Sequence, residues 1–167
     1  MYIQVPDSYW QPLWSFCNAD GDAEITSAEL TACAKTAAEY VGMSDTTQTF
    51  LYNFGVKYWA LVDQDNSNGL NYDEYRYTMA AFAAVDARVI LAGFDADDNG
   101  ILEGDELSAW RGFVQNKMAE WNWNPSDSDV AALKAAWANA QTDGDANTGS
   151  MVEIAQFVVG AWNVMLN

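Results

Sequence analysis

Histidine is absent from this chain, and cysteine, proline and basic residues are scarce, with 2 Cys, 3 Pro and 7 Lys plus Arg among 167 residues. Without histidine the chain lacks the usual general base of enzymes and the commonest protein ligand of zinc. Nucleic-acid binding depends on clustered Lys and Arg that contact phosphates, and the chain has few of either. We therefore expect no nucleic-acid partner and no histidine-based catalytic or zinc site.

Long hydrophobic runs are also missing. No apolar stretch reaches the length of a membrane span, and the chain does not open with a signal-peptide pattern. We therefore expect no membrane span and a cytoplasmic, intracellular location. With 50% hydrophobic and 14% aromatic residues, the chain has enough material for one compact domain or for two small lobes packed as one.

The two cysteines, Cys17 and Cys33, have neither metal-ligand nor redox-motif spacing. They flank an acidic stretch, so both a disulfide and a pair of unreacted thiols are compatible with their positions. The sequence favours buried, inert thiols.

The net charge of −17 is concentrated in four stretches, 18–29, 63–74, 95–106 and 143–156. These stretches hold most of the 24 Asp and Glu residues and none of the 7 Lys and Arg. Like charges at such density are costly unless cations neutralise them. The pattern therefore indicates cation-binding loops rather than a merely solubilising surface.

The stretch 95–106 has the composition and spacing of a twelve-residue calcium-binding loop. Gly100 occupies the sixth place, where the backbone turns with positive φ. Glu106 occupies the twelfth, where a carboxylate can hold an ion with both oxygens. The predicted ligands, all oxygen donors, are Asp95, Asp97, Asn99, Ile101 through its backbone carbonyl, Glu103 and Glu106.

Two further stretches repeat this spacing with changes. In 18–29, Ala23 stands at the sixth place, so that turn is expected to hold a strained residue. In 63–74, the sixth place is Asn68, which tolerates positive φ better than most residues. The predicted ligands are Asn18, Asp20, Asp22, Glu24, Thr26 and Glu29 in the first stretch, and Asp63, Asp65, Ser67, Gly69, Asn71 and Glu74 in the second.

The last acidic stretch matches the pattern poorly. When 145–156 is aligned to the loop, Gly149 leaves the fifth place without a ligand, Glu153 takes the ninth place, and Gln156 replaces the closing Glu. We predict a non-binding loop that pairs with its neighbour, although Asp143 could substitute in a lengthened loop.

The four stretches form an internal repeat. Each is preceded and followed by a segment with helical hydrophobic spacing, and each has an apolar residue at a shared bridging place: Ile25, Leu70, Leu102 and Val152. These motifs resemble the EF-hand superfamily over nearly the whole chain, and the compact sarcoplasmic calcium-binding proteins more than calmodulin. The resemblance implies an all-α fold of four EF-hand helix-loop-helix units. It pairs them as 1–84 and 85–167 in one compact body, with short β-bridges between paired loops.

Helix boundaries follow from breakers and caps. Pro12 predicts a brief first helix, because proline is tolerated best in the first turn. The segment 75–94 is apolar on several faces, which predicts a bend near Val85 and Asp86 that lets both halves be buried. Ser44 or Asp45 is expected to begin a helix that ends near Val62, and Ser126 or Asp127 one that ends near Ala140.

The predicted function is non-catalytic, because every recognisable polar cluster is assigned to a metal loop. We expect about three Ca²⁺ ions, with Mg²⁺ as a competitor, in a calcium buffer or modulator of calcium signalling. Two alternatives stay open: a sensor that exposes a groove to an unidentified protein partner, and a calcium-binding structural subunit of a cytoskeletal or ciliary assembly.

Overall fold

The computed structural model describes residues 3–40, 49, 53, 57, 59–120 and 123–166. These residues are mostly helical, with two short antiparallel sheets, as the predicted all-α class requires. Residues 59–62 end a helical segment whose predicted start, Ser44 or Asp45, lies outside the described residues. The bounded helices are α1 Asp7–Cys17, α2 Ser27–Tyr40, α3 Tyr72–Phe94, α4 Gly104–Glu120, α5 Asp127–Ala140 and α6 Met151–Leu166.

Each short sheet joins two acidic stretches. Strand β1 (Ile25–Thr26) pairs with β2 (Gly69–Leu70), and Ile25 lies opposite Leu70 as predicted. Strand β3 (Ile101–Glu103) pairs with β4 (Thr148–Ser150). There the partner of Leu102 is Gly149, so the prediction that Val152 occupies the bridging place is wrong.

Helix α6 is the centre of the core. It contacts α3 and α5 most extensively and also packs on α1. Its buried side chains are apolar apart from Glu153 and Gln156, with Ile154 and Val159 fully buried. Elements from the start, middle and end of the chain therefore share one hydrophobic core, and the predicted boundary at residues 84 and 85 lies inside α3.

Helix α3 is continuous through Val85 and Asp86, and the bend expected there stays a prediction. No proline interrupts it, and Ala83, Ala87 and Leu91 form one buried row four residues apart that packs as a unit. Val85 and Val89 lie on the outer side and are 54% and 65% exposed. This apolar helix is therefore buried along one side and exposed along the other, without an interruption.

By length and composition, α3 is also the one helix among the described residues that could cross a membrane, with a mean hydropathy of 1.4. The core helices of many proteins meet the same criteria, and a single such helix does not establish a membrane span.

Two local predictions, one for the start of α5 and one for the length of α1, can be compared with the structure. Ser126 caps α5 as expected: its side chain accepts a hydrogen bond from the Asp129 amide, and the Asp129 side chain accepts one from the Ser126 amide. The prediction of a brief first helix is also confirmed, because α1 has eleven residues, Asp7–Cys17, and includes Pro12. The buried residues Trp10, Leu13 and Cys17 hold this helix against the core.

Cys17 and Cys33 form a disulfide between α1 and α2, with their Cα atoms 5.0 Å apart. The expectation of unreacted thiols is therefore wrong. Sixteen residues separate the two cysteines in sequence, and only the packing of α1 against α2 brings them together.

Candidate metal centres

The acidic stretches at 18–29, 63–74 and 95–106 are called loops 1, 2 and 3. In loop 3, which follows α3, the Asp95 carboxylate accepts hydrogen bonds from the amides of Asn99 at 3.1 Å and Gly100 at 2.8 Å. The chain turns tightly because Asp98 and Gly100 have positive φ, 58° and 85°. These bonds wrap the loop around the Asp95 side chain.

Helix α4 returns the last acid of loop 3 to its beginning. Glu106 lies in the first turn of α4, and its Oε1 accepts a hydrogen bond from the Ala96 amide at 2.7 Å. Its Oε2 is buried and has no hydrogen-bond partner. Asp95, Asp97 and Glu106 each offer a carboxylate oxygen, and these three oxygens lie within 4.8 Å of one another.

Loop 2 forms the same arrangement with Asp63, Asp65 and Glu74, whose ligand oxygens also lie within 4.8 Å of one another. Asp63 and Glu74 are only 6% and 7% exposed. The Asp63 carboxylate accepts hydrogen bonds from the amides of Ser67 and Asn68 at 3.1 and 3.0 Å. Asn68 adopts φ 70°, so this asparagine takes the backbone conformation that Gly100 takes in loop 3.

The end of loop 2 is also the start of α3. Asn71 caps this helix, accepting hydrogen bonds from the amides of Asp73 and Glu74 at 3.1 Å. The Glu74 carboxylate in turn accepts a hydrogen bond from the Asn71 amide through Oε2. Its Oε1 accepts one from the Gln64 amide at 2.7 Å and so holds the beginning of the loop. The capping box therefore positions the closing carboxylate.

Hydrogen bonding in loop 2 favours the ionised form of Asp65. The amide of Ser67, and then its hydroxyl, lower the pKa of Asp65 below its ordinary value of 3.8. Asp65 is therefore charged at neutral pH, beside two further acids, Asp63 and Glu74.

The remaining predicted ligands of loops 2 and 3 lie within the same turns. Ser67 donates its hydroxyl to the Gly69 carbonyl at 3.2 Å, and the Asn99 side chain donates to Asp97 at 3.1 Å and to Glu103 at 3.4 Å. The amide of Ile101 donates to Asn99 Oδ1 at 2.8 Å, which leaves the Ile101 carbonyl as the group predicted to bind metal.

Loop 1 has a different internal arrangement. Asn18 accepts from the Gly21 amide at 2.9 Å and donates to the Asp22 carbonyl at 2.8 Å, so its amide takes both roles where Asp63 and Asp95 only accept. Gly21 has φ 75°, whereas Ala23 does not adopt positive φ. The strain expected at Ala23 is therefore absent, because the loop avoids the second left-handed turn.

The closing residue of loop 1 nevertheless matches loops 2 and 3. Glu29 accepts hydrogen bonds from the Ala19 amide at 3.0 Å and from the amide of Thr26 at 2.9 Å. The Thr26 amide and then its hydroxyl are the main causes that lower the pKa of Glu29. Asp20 and Asp22 accept from amides two residues on, those of Asp22 and Glu24. Within the described part of the chain, three converging carboxylates occur only in loops 2 and 3.

The fourth acidic stretch closes on Glu153, so its predicted alignment to 145–156 is wrong. Glu153 is 2% exposed and accepts hydrogen bonds from the amides of Thr142 and Ser150, each at 2.8 Å. Glu29 and Glu74 likewise accept hydrogen bonds from an amide at the start of their loop and from the amide three residues before them. Gln156, aligned to the closing place from sequence, is buried and donates to the Ala140 carbonyl at 2.7 Å instead.

Burial by itself would raise the pKa of Glu153, but the hydrogen bonds from Ser150 and Thr142 outweigh it and lower that pKa. The closing carboxylate of this fourth loop is therefore ionised at neutral pH.

The loop that closes on Glu153 spans 141–153, one residue more than the others, and is called loop 4. Its bridging residue is Gly149 for a steric reason: an added Cβ would lie 2.9 Å from the Trp137 ring. The additional residue is accommodated near Ala146, whose carbonyl accepts hydrogen bonds from Trp137 at 2.9 Å and Arg111 at 3.2 Å. Arg111 thus brings a positive charge to this loop.

Sequence reasoning missed a signal here. Residues 143–146 repeat the Asp-Gly-Asp-Ala of residues 20–23. Gly144 has φ 81°, close to the φ 75° of Gly21. In both loops the second Asp donates its amide to the first, as Asp145 does to Asp143 at 2.8 Å. Alignment on this motif would have placed the start of loop 4 at Gln141, and with one inserted residue it would have placed Glu153, not Gln156, at the closing position.

The candidate metal ligands of loops 2 and 3 are oxygens of carboxylate, amide, hydroxyl and carbonyl groups, which suit hard cations such as Ca²⁺ and Mg²⁺. No protein-family model matches this chain, and no curated protein matches it.

Proposed function

We propose that this protein binds Ca²⁺ in EF-hand-type helix-loop-helix units. Loops 2 and 3 are the principal sites, and loop 1 is a weaker third. The observation that carries the proposal is the convergence of three carboxylate oxygens within 4.8 Å in each of loops 2 and 3. Mg²⁺ is expected to compete, and loop 4 is left out because Arg111 already faces it.

Electrostatics supports a cation in these loops. Asp63 and Glu74 are more than nine-tenths buried, and buried carboxylates are costly unless they are paired or coordinate a metal. No Lys or Arg lies within loops 1, 2 or 3. Among the described residues, Arg76 forms an ion pair with Asp73 of loop 2 at 3.8 Å, and this carboxylate lies outside the converging group.

The spacing of the carboxylate oxygens supports calcium. Ca²⁺ binds six to eight oxygens at about 2.3–2.6 Å, so two ligand oxygens on opposite sides of the ion lie about 5 Å apart. Oxygens within 4.8 Å of one another fit around such an ion. The buried, unpartnered Oε2 of Glu106 is a ready ligand for it.

The test is a calcium titration of Glu106→Gln by calorimetry. Magnesium is held at about 1 mM throughout, so that its competition for the sites is constant. The substitution keeps the size of the side chain but removes its charge and one carboxylate oxygen. We expect loop 3 to lose calcium binding and the stoichiometry to fall by one ion.

Glu120→Gln is the matched control, because it makes the same chemical change at the exposed end of α4, where Glu120 pairs with Lys117. It should leave the stoichiometry unchanged. An unaltered stoichiometry in Glu106→Gln would refute loop 3 as a site.

We propose a calcium buffer or slow modulator as the role of these sites, and a specific observation favours a sensor as the second candidate. An apolar cleft of about 230 Å³ opens between α4, α5 and α6. Phe113 at its edge is 46% exposed. The lining residues are Phe113, Val114, Lys117, Met118, Trp123, Leu133, Phe157, Ala161 and Met165.

A hydrophobic dye such as ANS separates these two roles. If calcium widens the cleft for a target helix, dye fluorescence should rise with calcium and saturate at the binding stoichiometry. Constant or falling fluorescence, with calcium uptake measured in the same sample, would favour the buffer.

A further inference from the structure

The Cys17–Cys33 disulfide joins the two ends of loop 1. Cys17 is the last residue of α1 and directly precedes Asn18, the first predicted ligand. Cys33 lies four residues after Glu29, on the same face of α2 as this closing carboxylate. The covalent bond therefore limits how far the first and last ligands of loop 1 can separate.

The same disulfide contacts the helix that follows loop 2. Cys17 is 5% exposed, and its sulfur accepts a hydrogen bond from the hydroxyl of Tyr75 at 3.7 Å. Tyr75 is fully buried and directly follows Glu74, the closing carboxylate of loop 2. Trp14, also on α1, packs edge-on against the Tyr75 ring with centroids 5.4 Å apart. The position of α1 is thus coupled to Glu74.

Backbone pairing provides a second link between these loops. Strand β1 of loop 1 pairs with β2 of loop 2, with Ile25 opposite Leu70. Loop 3 lies at the far end of α3 and pairs with β4 instead. A change at the disulfide should therefore reach loops 1 and 2 but not loop 3.

We propose that the Cys17–Cys33 disulfide is a redox switch that sets the cation affinity of loops 1 and 2. A dithiol reductant supplies two electrons and two protons; the S–S bond breaks, two thiols form, and the dithiol becomes a disulfide. Cys33 is only partly buried, so the thiolate of the reductant can approach the disulfide from this side. The inference rests on the proposed calcium binding.

The direction of the effect follows from preorganisation. With the disulfide intact, Asn18 and Glu29 are held near their bound separation before the ion arrives. After reduction the ends of α1 and α2 can move apart, and binding must also order them, which weakens affinity. The reducing cytosol would keep the bond open. For the proposed cytoplasmic location, the switch therefore means that oxidation raises calcium affinity.

The experiment compares calcium titrations of the oxidised and dithiothreitol-reduced full chain in two backgrounds. The Glu106→Gln variant removes binding at loop 3, so its titration reports the affinity of loops 1 and 2. The double variant Glu29→Gln, Glu74→Gln removes binding at loops 1 and 2, so its titration reports the affinity of loop 3. We expect reduction to weaken binding in the first background by between about 5-fold and 150-fold, the usual range of coupling between sites. Loop 3 affinity should not change.

A Cys17→Ser, Cys33→Ser variant in the Glu106→Gln background provides the second measurement. Without reductant it should bind like the reduced protein, and dithiothreitol should not alter it. Helical circular dichroism is recorded for every sample.

Three outcomes would overturn the switch: equal affinity of loops 1 and 2 in both redox states, an equal loss at loop 3, or oxidised-like affinity in the serine variant. If the oxidised wild-type chain binds no calcium at all, the proposed function itself fails. Calcium binding that is equal in the oxidised and reduced protein would refute only the switch and not the proposed function.

Discussion

At the scale of single residues, backbone conformation decides which loops can wrap around a side chain. Loops 2 and 3 each contain two residues with positive φ, at the fourth and sixth places, whereas loop 1 has one. The second left-handed turn brings the amides of the fifth and sixth places to the first carboxylate. Ala23 cannot adopt this turn cheaply, so Asn18 binds the Gly21 amide instead.

Gly100→Ala tests this backbone effect. Nothing lies within 4 Å of an added Cβ at Gly100, so the substitution introduces no clash and changes only the cost of φ 85°. A left-handed alanine costs about 1–2 kcal/mol. We expect the free energy of unfolding to fall by about that amount in a chemical denaturation experiment, and loop 3 to bind calcium more weakly.

Gly112→Ala is the matched control. Gly112 lies inside α4, also with nothing within 4 Å of an added Cβ, but without positive φ. Alanine there should stabilise the protein by about 0.5–1 kcal/mol because it favours the helix. The two substitutions should therefore have opposite signs, and equal signs would contradict the argument from φ.

At the scale of elements, helix caps and helix contacts determine the packing. The capping box at the start of α5 is local, and the sequence predicted a cap there at Ser126 or Asp127, of which Ser126 is the one formed. The Ser126 side chain and then its amide lower the pKa of Asp129 below 3.8. Because the folded-state pKa is below the unfolded one, ionised Asp129 stabilises the fold above about pH 4, and this stabilisation is lost as pH falls through the lowered pKa.

Asp129→Asn should therefore reduce the denaturation midpoint of the metal-free protein near neutral pH, and the difference from wild type should shrink below about pH 4. Midpoints measured between pH 3 and 7 give the profile. In a Ser126→Ala background the difference should be smaller at every pH, since the hydrogen bond from the hydroxyl is gone. A difference that does not vary with pH would contradict the role of charge.

Helix contacts supply the second prediction at this scale. Gly160 lies where α6 meets α5 and α1, and an added Cβ would be 2.8 Å from the Ala136 Cβ and 3.1 Å from the Tyr9 ring. Gly160→Ala should destabilise the protein by about 1–3 kcal/mol through overpacking, despite the better helix propensity of alanine. The measurement is the denaturation midpoint of Gly160→Ala compared with that of Gly112→Ala. A gain in stability in Gly160→Ala would contradict the prediction and show that the contact is loose.

At the scale of the whole molecule, we expect the net charge of −17 to make the stability of the fold depend on cations. At a free calcium concentration 100-fold above the dissociation constant, each occupied site should add about 2.7 kcal/mol to the free energy of unfolding. Chelation with EDTA should therefore lower the melting temperature. Added KCl should partly restore it by screening repulsion between the loops. Melting curves that do not respond to calcium would contradict both statements.

The sequence by itself determined loops 1, 2 and 3, the Ile25–Leu70 bridge and the cap at Ser126. These features depend on residues a few positions apart, whose side chains meet wherever the chain makes that turn. The hydrogen bonds of the first carboxylates in loops 2 and 3 follow from the same short spacing, because Asp63 and Asp95 reach amides four and five residues further along the chain.

Only the tertiary structure decided the closing residue of loop 4, the burial of α3 along one side and the disulfide. Glu153 closes loop 4 because β3 pairs with β4 and because the Trp137 ring leaves room for glycine alone at residue 149. Helix α3 packs against α6, and Ala83 and Leu91 are buried along one side of it. Cys17 meets Cys33 because α1 packs on α2. Each outcome depends on contacts between segments distant in sequence, which local spacing does not encode.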